Sequence, residues 1–182
     1  MAELDDHVVD AARAGRPDAV GLIYTELSPK VLGYLRSRGV EDAEGLTSEV
    51  FLQVLKRLPN LRGGAADLRT FVFSVAHARA VDDIRRRSRR PAESPYEPDR
   101  DDRLTASADV AAFEDATNPD VVNLLCRLND DQRTVVTLRV IGDLSLEQTA
   151  AVLGRSTGAV KQLQRRALLQ LRTLVESGEV AL

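Results

Sequence analysis

Apolar residues recur along most of the chain at spacings of three and four, the period of an amphipathic helix. No stretch alternates as a half-buried strand would. Two helical blocks emerge, at about 17–90 and about 118–175, with a break between them. In the first, Asp42 suits an N-cap for a helix running to Leu58 and stopped by Pro59 and Asn60. Val50, Phe51, Val54, Leu55 and Leu58 form its predicted buried stripe. Arg62, Gly63 and Gly64 then make a turn. A longer helix from about Asp67 is expected to bury Phe71, Val72, Val75 and Ile84 and to run into an arginine cluster.

In the second block Ser145 is placed to cap a short helix with Ala150 and Leu153 inward. Gly154 permits a left-handed turn, and Thr157 opens another helix. Short helix, glycine turn, second helix is the helix-turn-helix pattern. On the second helix Val160, Leu163, Ala167, Leu171 and Leu174 share one side. Gly158, Lys161, Gln162, Arg165 and Arg166 share the other. Such a face is ordinarily a solvated one. Here it carries the side chains best suited to base edges and phosphates, and a short helix and glycine turn precede it. Leu169 also projects from that side, and DNA contact does not account for it.

Between the blocks, "PAESPYEPDRDDRLTASADVAAFEDATNP" has four prolines and many small polar residues. It reads as a flexible acidic linker, with a short helix expected near residues 110–113. The expected division is 1–90, 91–117 and 118–182, two small helical domains in an all-α chain.

Charge sharpens this picture. The net charge is −3, yet five of the six residues from Arg85 to Arg90 are arginine. Residues 155–172 hold five basic side chains and no acidic one, whereas 93–115 is predominantly acidic. Local patches of this kind matter more for nucleic-acid binding than the total does. Asp99, Asp101 and Asp102 sit in the linker and read as solvated charge.

Other classes of function fare poorly. No apolar run approaches the roughly 20 residues of a membrane span, and the acidic N-terminus is unlike a signal peptide. A lone Cys126 excludes an internal disulfide, so a cytoplasmic protein without membrane contact is expected. His7, His77 and Cys126 do not suffice for a closed zinc site, and no phosphate-binding loop or activated nucleophile is visible. Neither a metal, nor a cofactor, nor catalysis is expected.

Taken together and in order, "DAEGLTSEVFLQVLKRLPNLRG", "LRTFVFSVAHARAVDDIRRRSRRP" and the helix-turn-helix resemble a bacterial sigma factor of the extracytoplasmic-function type. The likeness spans roughly residues 19–172, leaving the N-terminal tail and linker outside the motifs. It implies that the first domain binds the β′ clamp helices of core RNA polymerase and opens the promoter −10 element. The second domain would read the −35 element near the β flap.

Carried onto this chain, Asp42, Glu44, Leu46, Glu49 and Phe51 correspond to the polymerase-binding helix. Residues 60–67, with Asn60 and Arg62, correspond to a loop that captures a flipped-out base of the non-template strand. Arg69, Phe71, His77, Asp82, Arg85 and Arg86 correspond to the −10 reading helix and its phosphate contacts. Ser156, Thr157, Gly158, Lys161, Gln162, Arg165 and Arg166 correspond to the −35 contacts.

The chain departs from the family pattern at three places. Gly45 replaces an acidic residue, Phe71 a tryptophan, and His77-Ala78 an Arg-Asn pair. Gly45→Asp is therefore expected to strengthen polymerase binding. An anti-sigma protein is expected to hold the free chain compact and inactive. The alternatives are a helix-turn-helix regulator acting without core polymerase and an interaction module that has lost DNA binding.

Overall fold

The computed structural model describes residues 4–89 and 125–177; the linker at 91–117 and the helix expected near 110–113 lie outside them. Every regular element among the described residues is helical. They are α1 (Asp6–Arg13), α2 (Pro17–Ser37), α3 (Ala43–Arg57), α4 (Ala65–Arg89), α5 (Asp130–Val140), α6 (Leu146–Leu153) and α7 (Thr157–Glu176). A 3-10 turn, Leu58–Asn60, lies between α3 and α4.

Local chemistry explains most of the helix ends. Asp42 Oδ1 accepts from the Gly45 N–H at 2.8 Å, so the predicted cap of α3 is present. Asn129 with Gln132, and Ser145 with Gln148, form reciprocal capping boxes at the starts of α5 and α6. Gly154 closes α6 at φ 60° and ψ 33°, left-handed geometry that a Cβ would disfavour. Ser156 caps α7 through the Ala159 N–H.

Helices α1 to α4 enclose the larger core, in which Ile23, Leu27, Val31, Tyr34, Val50, Val54, Leu68, Val72 and Phe73 are buried. Phe71 and Ile84 are only half-buried, contrary to the expectation for α4, and Phe73 is the fully buried aromatic. The stripe that faces α2 and α3 runs through Leu68, Val72, Ala76 and Ala80, and Phe71 falls off it by about 100°. Tyr34 meets Phe73 edge-on, their ring centroids 6.0 Å apart. The N-terminal tail, outside the sequence motifs, forms α1 and adds Val9 and Ala12 to this core.

Helices α5 to α7 share two smaller clusters, one of Val135, Ala150 and Val160 and one of Leu125, Leu128, Val136 and Ala167. Neither would stabilise much alone. Leu138, Leu144 and Val152 join the larger core instead, so the second module is docked on α4 and the end of α2. Polar contacts fix that docking. Arg38, whose side chain is 3% exposed, donates to both Asp130 oxygens at 2.5 and 2.8 Å and to Thr134 Oγ1 at 2.6 Å. Arg69 donates to Asp143 at 2.9 Å, and Gln148 donates to the Ala66 carbonyl at 2.9 Å.

Candidate nucleic-acid interface

Helix α7 presents the expected basic face. Ser156, Thr157, Gly158, Lys161, Gln162, Arg165 and Arg166 are all exposed, while Val160 and Ala167 seal the opposite side against α5 and α6. Helix α6 crosses behind it, and Gly154 sets the turn. Lys161, Arg165 and Arg166 have no ion-pair partner among the described residues. Their charge is therefore available to phosphates or base edges. Leu168 and Leu169 are 51% and 55% exposed one turn further on, an apolar continuation of the same surface.

Helix α4 is divided. At about 100° per residue, Arg69 and His77 lie within a quarter turn of each other, and Phe71 and Asp82 lie on the far side. The first pair faces the docked module: Arg69 holds Asp143, and His77 lines a cleft with Arg38, Asp130, Thr134 and Leu153. The Tyr34 hydroxyl and His77 Nδ1 are 2.7 Å apart. Burial, then the Arg38 cation, hold His77 below its ordinary pKa, while burial pushes the Tyr34 phenol up. The guanidinium hydrogen bonds from Arg38 hold the Asp130 carboxyl below its usual range.

The open side of α4 carries half-buried Phe71 and exposed Asp82, Arg85 and Arg89. Arg86 is exposed and 3.6 Å from Asp83, and Arg87 is held by Asp83 at 3.0 Å. Asn60 and Arg62 are exposed on the loop before the helix.

On α3, Asp42, Glu44 and Glu49 are exposed, with Glu44 paired to Arg36 and Glu49 3.8 Å from Arg79. Leu46 and Phe51 are buried in the larger core, where they fix the helix to the bundle rather than lying on its surface. Apolar exposure comes instead from Leu52, and from Tyr24 of α2, whose ring packs edge-on against Phe51 at 4.8 Å. Leu52 falls off the helical stripe, the one cue in the sequence that pointed outward.

A helix-turn-helix with a free basic face, docked on a helical bundle that bears an arginine-rich helix, defines a two-module DNA-reading protein. Comparisons with known proteins specify it further. The family models for Sigma-70 region 2 and Sigma-70 region 4 match residues 23–90 and 124–173. The ECF RNA polymerase sigma factor SigD of Mycobacterium tuberculosis is 34% identical, covering 97% of this chain and 86% of SigD. BldN of Streptomyces coelicolor, also an ECF RNA polymerase sigma factor, is 32% identical over 92% of this chain; the chain spans 64% of BldN. Among solved structures, CnrH in complex with the cytosolic domain of CnrY has the same fold. Its TM-score is 0.65 at 21% identity, covering 94% of this chain and 97% of that one. The chain belongs to the extracytoplasmic-function RNA polymerase sigma factors, subunits that direct core RNA polymerase to promoters.

Proposed function

We infer that this chain gives core RNA polymerase its promoter specificity through two modules, 1–90 and 118–182, joined by 91–117. Lys161, Gln162, Arg165 and Arg166, positioned by Ser156, Thr157 and Gly158, read the −35 element. Phe71, Asp82, Arg85 and Arg86, with Asn60 and Arg62 of the preceding loop, serve the −10 element. Arg69 and His77 serve it once the second module has moved away. Asp42, Glu44 and Glu49, with Leu52 and Tyr24 in place of buried Leu46 and Phe51, form the polymerase-binding surface. The chain has no catalysis of its own and works in the cytoplasm. No described helix is long and apolar enough to cross a membrane.

The observation that carries this reading is the unpaired basic face of α7 set by a helix-turn-helix. Run-off transcription from a selected promoter, with core polymerase alone and with the chain added, tests it. A transcript that depends on the chain is expected. Duplex binding by the chain with no effect on core enzyme would instead favour the regulator alternative.

An anti-sigma partner is part of the same proposal. A solved RpoE, in complex with the anti-sigma factor NepR from Bartonella quintana, shares the fold at TM-score 0.64 and 20% identity. Two basic surfaces left exposed in one protein would bind duplex non-specifically, with a Kd of about 10⁻⁴–10⁻⁶ M. Co-purification from the native host should recover a second protein besides core polymerase; recovery of core polymerase alone at every growth stage counts against it.

A further inference from the structure

Helix α4 begins at Ala65, and the residue before it, Gly64, has no side chain with which to cap. The cap comes from α1. Asp6 Oδ1 accepts from the Ala65 N–H at 2.7 Å, across 59 residues of sequence. From the other end of α1, Arg13 donates to the Gly63 carbonyl. Asp10 holds that guanidinium at 2.6 Å, so Arg13 is aimed rather than free.

The loop is shaped around these contacts. A Cβ on Gly64 would lie 2.0 Å from Asp6 Oδ1, and one on Gly63 2.0 Å from Asp67 Oδ2. Gly63 is also at φ +95°, and Asp67 Oδ2 accepts from the Gly64 N–H at 3.0 Å. Two carboxylates thus occupy the volume that side chains at 63 and 64 would take. Leu58 and Leu61 tie the other end of the loop to the core, and α1 packs on both the 3-10 turn and the start of α4. The exposed polar side chains between these anchors are Asn60 and Arg62.

We propose that α1 is a positioning element for this loop: Asp6 and Arg13 fix the backbone that carries Asn60 and Arg62, and so set base discrimination within the −10 element. The proposal rests on the reading of residues 60–67 as the base-capturing loop. A pocket that discriminates among flipped bases must hold its hydrogen-bonding groups within a fraction of an ångström. A surface loop with two adjacent glycines does not do this unaided, since each glycine adds backbone freedom. Asp6 and Arg13 touch no base themselves. They act through the peptide groups of Gly63, Gly64 and Ala65.

The test uses the full chain with core polymerase on fork-junction promoters carrying each of the four bases at successive non-template −10 positions. Asp6→Ala combined with Arg13→Ala should flatten the preference at one position on the order of fivefold. Affinity for the −35 duplex should stay unchanged. Asp6→Asn, which keeps an oxygen acceptor for the Ala65 N–H, should restore most of the preference. A merely structural loss would lower binding to all four bases alike and would not leave the −35 duplex untouched. Uniform loss, or intact discrimination in the Asp6/Arg13 pair, overturns the proposal. Asn60→Ala and Arg62→Ala separate it from the reading beneath it. If these variants also leave discrimination intact, the loop assignment is wrong. If they alter it while the Asp6/Arg13 pair does not, α1 has no positioning role.

Discussion

Helices α4 and α7 both bring a run of basic residues to the surface, but they hold their charge differently. Along α4, Arg69 is paired with Asp143, Arg79 lies 3.8 Å from Glu49, and Arg87 is held by Asp83 and the Gly39 carbonyl. Along α7, Lys161, Arg165 and Arg166 are exposed and unpaired among the described residues. A paired arginine must give up its carboxylate before it can neutralise a phosphate, so it contributes less to counterion release than its charge suggests. The densest basic run in the sequence is therefore not the most available one. Arg85 and Arg89 are the members of the α4 run that are exposed and unpaired among the described residues.

The sharpest way to break this comparison is to remove the free charge. Replacing Lys161, Gln162, Arg165 and Arg166 together should abolish −35-dependent transcription. Arg165→Ala alone should cost about 1–3 kcal/mol if it reads a base. Gln162→Ala should lose discrimination at one promoter position, and Lys161→Ala should weaken binding to every sequence alike. Unchanged promoter use by the fourfold variant would remove the recognition-helix assignment.

Freeing the masked charge should work in the opposite direction. Asp130→Asn with Asp143→Asn removes both carboxylates that the second module presents to Arg38 and Arg69. Each lost charge-assisted contact is worth roughly 1–3 kcal/mol, less where the carboxylate is exposed, as both are. The variant should bind −10 fork DNA several-fold more tightly without core polymerase. Equal affinity would mean that docking does not limit α4.

Within α4 a contrast of neighbours is expected. Arg85→Ala should lower the salt dependence of DNA binding by about one counterion, whereas Arg87→Ala should leave it nearly unchanged and lower thermal stability instead. Titrating fork-DNA affinity against salt, alongside a melting curve, distinguishes the two.

The docked face also predicts a modest pH effect. His77 is flanked by Tyr34 of α2, by Arg38 just after that helix and by Asp130, Asp131 and Thr134 of α5, with Arg155 beyond. Its folded pKa lies below the ordinary value of about 6.5, so the unfolded chain takes up the proton first. Stability should be full above about pH 6.5 and should decline as pH falls from there through the lowered folded value. Asp130, lowered by Arg38, adds a loss only further down, below the ordinary carboxylate range. His77→Gln should flatten the first decline in a series of melting curves; an unaltered profile would assign it to another group.

The smallest effect concerns Gly45. The family pattern alone favours Gly45→Asp as a gain. The structure tempers that expectation, because a Cβ at position 45 would lie 2.2 Å from the Asp42 carboxylate, which must shift to admit it. A new aspartate would disturb the cap and add a like charge beside Asp42 and Glu44. A weakened cap, up to about 1 kcal/mol, offsets what helix propensity gains. Melting temperature and core-polymerase affinity should not rise, and a clear gain in affinity would restore the simpler view.

The sequence by itself determined what depends on residues three or four apart. Asp42 and Ser145 were recognisable as caps, Gly154 as the turn, and the two faces of α7 as apolar and basic, because helix geometry brings i, i+3 and i+4 together whatever surrounds them. The order of the motifs carried the family with them. Tertiary structure alone decided which of those residues are available. The family pattern put Leu46 and Phe51 among the contacts, although the helical period already placed Phe51 in the buried stripe; both are buried, and Phe73, with no special mark in the sequence, became the core aromatic. Arg38 meets Asp130 across 92 residues, Arg69 meets Asp143 across 74, and Asp6 caps α4 across 59. No local period encodes such pairs. Each exists because burial of Leu138, Leu144, Val152 and Val9 brings distant helices together, and only then do the charges beside them find partners.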